Sequence, residues 1–113
     1  MVRVVNIKEY NPSADYAVFR LEQEIEDSKK MGEHALIVVH GYGSHGRGGL
    51  IKQNAVQFLK SAQHFGKIKG FVPGEMWCDT NPLKQYACEK NPELILHSQI
   101  GNLNSGVSIV VID

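Results

Sequence analysis

The sequence predicts an α/β domain in which helices pack against a mixed sheet. Three observations lead there. Short β-branched runs occur at 2–7, 35–39, 68–72 and 107–112. Two stretches with helical spacing separate the first three runs, and turn residues mark the junctions. The order is β-α-β-α-β, an irregular insert over about 75–105, then β, with residues 1–113 forming one domain.

The first run, Val2 to Ile7, reads as a strand. Asn11-Pro12-Ser13 then supplies a helix start, with Asn11 or Ser13 as cap and Pro12 suited to the first helical position. Ala14, Val18, Leu21 and Ile25 recur at i, i+4, i+7 and i+11, one buried stripe among Glu22, Gln23, Glu26 and Lys29. Gly32 fits a left-handed residue closing that helix. The run 35–39 is continuously apolar, as a central strand should be. Ile51, Ala55, Phe58, Leu59 and Ala62 give a second helix its inner face, and Gly66 ends it. In the insert, 83–89 reads as a short helix after Asn81-Pro82, and 92–96 as a turn. Trp77 reads as the packing anchor of this insert.

Composition narrows the function. With 42% hydrophobic and 21% charged residues, the chain is neither disordered nor membrane-spanning. Its first residues carry no signal-peptide pattern, so the expected location is cytoplasmic. Cys78 and Cys88, with Asp79 and His97, match no metal-ligand spacing and are expected to be ordinary thiols with no metal. The net charge is zero, yet 34–74 contains no acid while holding Arg47, Lys52, Lys60, Lys67 and Lys69. That basic middle suits either an anionic partner or a solvated helix face.

Between the second strand and second helix lies His40-Gly41-Tyr42-Gly43-Ser44-His45-Gly46-Arg47-Gly48-Gly49. Gly41-x-Gly43-x-x-Gly46 has the glycines of a dinucleotide loop. The acid expected ~20 residues on is missing, and the chain is short for two nucleotide-binding halves. A P-loop fails too, because Arg47-Gly48 stands where Lys and Ser or Thr are needed. What remains is the physics both share. Glycines let consecutive N–H groups face an anion, the helix adds its positive end, Arg47 offers a bidentate contact and Lys52 a point charge. A phosphodiester backbone fits such a cradle, as does a bare loop.

His40-Gly41-Tyr42-Gly43 after the second strand, Ile68-Lys69-Gly70-Phe71-Val72-Pro73, and the closing Asn104-Ser105-Gly106-Val107-Ser108-Ile109-Val110-Val111 resemble the Smr (small MutS-related) domain family. Its signatures are HGxG after the second strand and a last strand of the form G-V-T-x-V. The resemblance covers nearly the whole chain. It implies a two-layer β-α-β-α-β-β sandwich with a mixed four-stranded sheet, similar to the C-terminal domain of bacterial translation initiation factor three. It further implies binding of structured DNA or RNA and a nicking endonuclease activity, with a divalent metal as the cofactor of any cleavage. Many Smr domains carry L-D-L-H-G on the first strand, with its acid and histidine linked to activity. Here Asn6 replaces the acid and Lys8 the histidine. An amide cannot serve as a base, and a fixed cation holds phosphate without titrating near neutrality.

The candidate catalytic residues are therefore His40 and His45. Candidate nucleic-acid contacts are Lys8, Gly41, Tyr42, Gly43, Gly46, Arg47, Gly48 and Lys52. His40 fits either an acid–base role or that of a strand-end residue holding the loop, and positioning is the favoured reading. Tyr42 fits base stacking or a cover over the core edge. A module for a small phosphorylated ligand or nucleotide, and a protein-interaction domain with an empty loop, are the alternative functions.

Overall fold

The structure, a computed structural model, describes residues 2–41, 47–101 and 103–113. Among the described residues, β1 (Arg3–Asn6), β2 (Ala35–Val39), β3 (Gly70–Pro73) and β4 (Val107–Val111) form one sheet in the order β1-β2-β4-β3. β1 runs parallel to β2, and β4 runs antiparallel to both of its neighbours. The helices are α1 (Ala14–Lys30), α2 (Arg47–His64) and α3 (Pro82–Lys90). This is the expected α/β architecture with a mixed four-stranded sheet, and β2 is central as its apolar run requires.

Local chemistry sets the boundaries. The Ser13 hydroxyl accepts the Tyr16 N–H and caps α1, which leaves Pro12 before the cap rather than inside the helix. Asp15 in the first turn and Lys29 and Lys30 in the last complement the helix dipole. Gly32 and Gly66, both at φ +73°, close α1 and α2 in the left-handed conformation. Asn81 caps α3 by accepting the N–H groups of Leu83 and Lys84, with Pro82 in the first turn. β3 begins at Gly70, two residues later than its apolar run. The Lys69 N–H is shared between the carbonyls of Val111 and Ile112, and Ile68 turns into the core beneath the helices. Pro73 is tolerated in β3 because that strand lies at the sheet edge.

Alternation along the strands builds two cores. Val5, Leu36, Val38 and Val110 face α1 and α2, against Leu21, Ile25, Ile51, Ala55 and Leu59. Ala35, Ile37, Val107, Ile109 and Val111 face the other way. Segment 75–105 covers that second face with Trp77, Ala87, Leu94 and Ile100, so Trp77 is buried as the anchor of the insert. The sandwich of sheet and helices thus gains a cover on its opposite side. Without it the sheet would expose a continuous apolar surface.

The insert leaves β3 through a 3-10 turn at Gly74–Met76 and is pinned where it returns to β4. A methyl group on Gly74 would lie inside the van der Waals shell of the Asn104 carbonyl oxygen, 2.8 Å from its carbon and 2.9 Å from the Val107 oxygen. Gly101 has open space around it. Gly74→Ala is therefore expected to cost about 3 kcal/mol of stability in urea denaturation, because backbone must move. Gly101→Ala should stay within about 0.5 kcal/mol of the parent.

Candidate nucleic-acid interface

The C-terminal ends of β1 and β2 lie side by side, and the glycine-rich segment leaves from there. The Ile7 N–H donates to the Val39 carbonyl at 3.0 Å, extending the β1–β2 pairing. The N–H groups of His40 and Gly41 both donate to the Gly106 carbonyl at 3.0 Å, which fixes the direction in which the chain departs. Gly41 is required for two reasons. Its φ is +84°, and a Cβ there would stand 3.0 Å from the Lys8 Cδ. The Lys8 side chain therefore lies across the head of the glycine segment. Asn6 holds the turn that presents it, its amide oxygen accepting the Lys8 N–H at 3.0 Å.

His40 continues the inward phase of Leu36 and Val38 and is fully buried. Its Nδ1 lies 2.9 Å from the Gly41 carbonyl and its Nε2 lies 2.8 Å from the Ser108 hydroxyl. A carbonyl can only accept, so Nδ1 carries the hydrogen and the neutral ring accepts the Ser108 O–H at Nε2. Burial pushes the His40 pKa below its ordinary value, outweighing the opposing Gly41 contact, so the neutral ring is favoured. Ser108 and His40 have the spacing of a nucleophile and its base, but Ser108 is also fully buried. As built, this pair meets no solvent. It locks the end of β2 to the start of β4.

Lys52, expected as a point charge for phosphate, is already engaged. Its Nζ donates to Glu75 Oε2 at 2.8 Å and to the Ser105 carbonyl at 2.9 Å. Desolvation raises the Glu75 carboxyl, but the Lys52 hydrogen bond, a backbone hydrogen bond and the charge of Lys52 together outweigh it and leave the carboxyl below the usual range. Both charges also act on His40. A groove of about 530 Å3 opens beside this pair, lined by Gly49, Lys52, Gln53, Lys60, Pro73 and Glu75.

The structure thus brings Lys8, Gly41, His40 and Lys52 to one end of the sheet. Arg47 and Gly48 open α2, and no acid occupies its first turn. Tyr42, Gly43, His45 and Gly46 lie outside the described residues, as do the side chains of Arg47 and Gly48. Sequence reasoning missed Ser108 and Glu75. Ser108 had a signal, since it interrupts a β-branched run in phase with buried Val110 and Ile112. Glu75 had none, because it reaches Lys52 only through the turn after β3. Among the described residues no group of three or more His, Cys, Asp or Glu side chains converges to hold a metal. Cys78 is exposed, with its Sγ 3.3 Å from the Thr80 hydroxyl, and Cys88 is half-buried.

Because the folded state disfavours protonated His40, its contribution to stability is complete above the unfolded pKa of about 6.5. It is lost as pH falls through the lower folded value. Urea melts of the parent should shift to lower midpoint between pH 7.5 and pH 5.5. His40→Gln should be less stable at pH 7.5 by about 1–3 kcal/mol, with buried hydrogen-bonding groups left unpaired, and should show a shallower pH dependence.

No protein-family model matches the sequence, and no curated protein matches it. Among solved structures, the chain is similar to the Smr domain of Thermus thermophilus MutS2, with a TM-score of 0.60 and 17% identity. The likeness covers 98% of this chain and 98% of that one. At that identity it carries the fold: this chain has an Smr-like α/β sandwich.

Proposed function

We propose that this domain binds structured DNA or RNA by its phosphate backbone, through Lys8, segment 41–48 and the first turn of α2, and that it binds without cutting. The observation that supports this reading is the placement of Lys8 across Gly41. From that point a glycine-rich segment leads into an 18-residue helix whose first turn holds no acid. A fixed cation and the positive end of a helix favour phosphate together. The Smr-like fold over the whole chain fits a macromolecular ligand better than a nucleotide pocket.

The described groups at this end of the sheet support binding without cleavage; His45 lies outside the described residues. Asn6 spends its amide oxygen on the Lys8 backbone, and Lys8 is a cation where a titrating imidazole would serve. His40 has no exposed surface, and both its nitrogens are engaged. It acts as a positioning residue that shapes the exit of the loop. Among the described residues at this end, the remaining carboxylate next to His40 and Lys52 is Glu75, and it is already an acceptor for Lys52. Lys52 holds Ser105 and Glu75 in place, and a phosphate reaching it must displace the carboxylate.

Fluorescence anisotropy with structured DNA and RNA at two salt concentrations tests the reading. Affinity should fall steeply as salt rises, because bound counterions are released; a single-phosphate ligand would respond far less. Lys8→Ala and Arg47→Ala should each weaken binding several-fold and lower the salt slope by about 1. Glu75→Gln should tighten binding by freeing Lys52. A supercoiled plasmid should remain unnicked with or without Mg2+. Absence of binding to either nucleic acid overturns the proposal, and nicking that His40→Ala abolishes overturns the non-cleaving half.

A further inference from the structure

The turn after β1 carries a feature that packing does not explain. The Asn11 N–H donates to the Lys8 carbonyl at 3.1 Å, closing a four-residue turn. Its third residue has a positive φ of 66°, where turns favour glycine or asparagine, yet the residue is Tyr10. Asn11 follows at φ 51°. The strain at Tyr10 is not offset by burial, because 92% of the side chain is exposed. Tyr16 stands beside it, 56% exposed, one helical turn before Arg20 on the same face of α1. An open cleft is lined by Glu9, Tyr10, Pro12, Ser13, Tyr16 and Arg20.

We infer that this cleft takes an unpaired nucleobase, stacked on Tyr10 and Tyr16 beside Arg20, from the nucleic acid whose phosphates lie along Lys8 and the glycine segment. The inference rests on the proposed backbone binding and assigns that site its preferred substrate, a strand with exposed bases. Aromatic rings and a guanidinium plane offer π-faces that a base can stack on whatever its sequence. In a closed duplex those base faces are covered by neighbouring pairs, so the cleft selects loops, bulges, flaps and single strands. The Glu9 carboxylate on the rim repels phosphate, which directs the base rather than the backbone into the cleft. The position fits as well. Tyr10 lies in the same four-residue turn as Lys8, which the Asn11 N–H to Lys8 carbonyl bond closes, and Lys8 lies across Gly41.

The test uses the full chain with hairpins of DNA and of RNA carrying 2-aminopurine in an open loop, against blunt duplexes of equal charge. The parent should bind the looped probes more tightly than the duplexes and quench the 2-aminopurine. Tyr10→Ala should lose about fivefold to a hundredfold on the looped probes and stay within about twofold on the duplexes. Tyr10→Phe should retain the parent's preference. Tyr10→Gly should melt at or above the parent temperature, since it relieves the positive φ, while losing loop affinity as Tyr10→Ala does. A Tyr10-dependent preference on either the DNA or the RNA hairpin supports the inference and identifies the sugar. A parent that binds looped and closed probes alike, with both Tyr10 variants unchanged, overturns the base site and leaves backbone binding standing. A parent that binds neither overturns both.

Discussion

The end of the sheet from which the glycine-rich segment departs depends on β4. That strand is last in the chain and central in the sheet, hydrogen-bonded to β2 on one edge and β3 on the other, with all five residues buried. The residues that lead into it provide the anchor points of the site. The Gly106 carbonyl receives the N–H groups of His40 and Gly41, Ser105 receives Lys52, and Ser108 meets the His40 ring. Ala35 pairs with Val111 across most of the chain length. His40 and Gly41, which follow β2, are therefore fixed by a strand far along the chain.

Electrostatics at this end differ from what the linear charge pattern shows. Residues 34–74 contain no acid, but Glu75 lies one residue beyond that window and lands on Lys52. A similar closure occurs at the opposite edge. Arg3, a cation on the first strand, reaches Glu24 at 2.9 Å and Glu33 at 3.1 Å and donates to Ser28, tying β1 to α1. Two of the chain's cations are thereby spent on architecture. The cations without a carboxylate partner near β2 and α2 are thus fewer than the linear charge pattern suggests. The aliphatic stem of Lys8 packs over Gly41, a residue without a Cβ.

The fold was legible because its signals are periodic. Strand runs, helical stripes and left-handed glycines at 32 and 66 each specify local structure with little help from elsewhere. Boundaries moved where tertiary bonds competed, as at Lys69, whose N–H is drawn to the end of β4 and delays β3. The site was legible only where a local rule reached it. Glycines in this segment were read as permitting positive φ, and Gly41 stands at φ +84°; His40, for which positioning was the favoured role, is fully buried. Glu75 and the Lys8 contact were invisible, because each arises from elements joined by sheet topology rather than by spacing. The insert was also under-read. Its irregular pattern hid a cover for the second sheet face, because cover residues need only reach an apolar surface and obey no period.

The distribution of strained backbone separates the two ends of the sheet. Where chain reversals precede β2 and β3, positive φ falls on glycines, Gly32 and Gly66, at no steric cost. At the other end, where β1 and β2 finish and β4 begins, Tyr10, Asn11 and Leu103 adopt positive φ with a side chain attached. Glycine would relax each position, so stability alone does not account for these residues. Non-glycine strain persists where surrounding structure enforces it and where the displaced side chain serves a purpose. At Tyr10 the turn is closed by the Lys8–Asn11 hydrogen bond, and the side chain is exposed rather than packed in a core. The same end carries the buried polar pair, the engaged cation and the glycine segment.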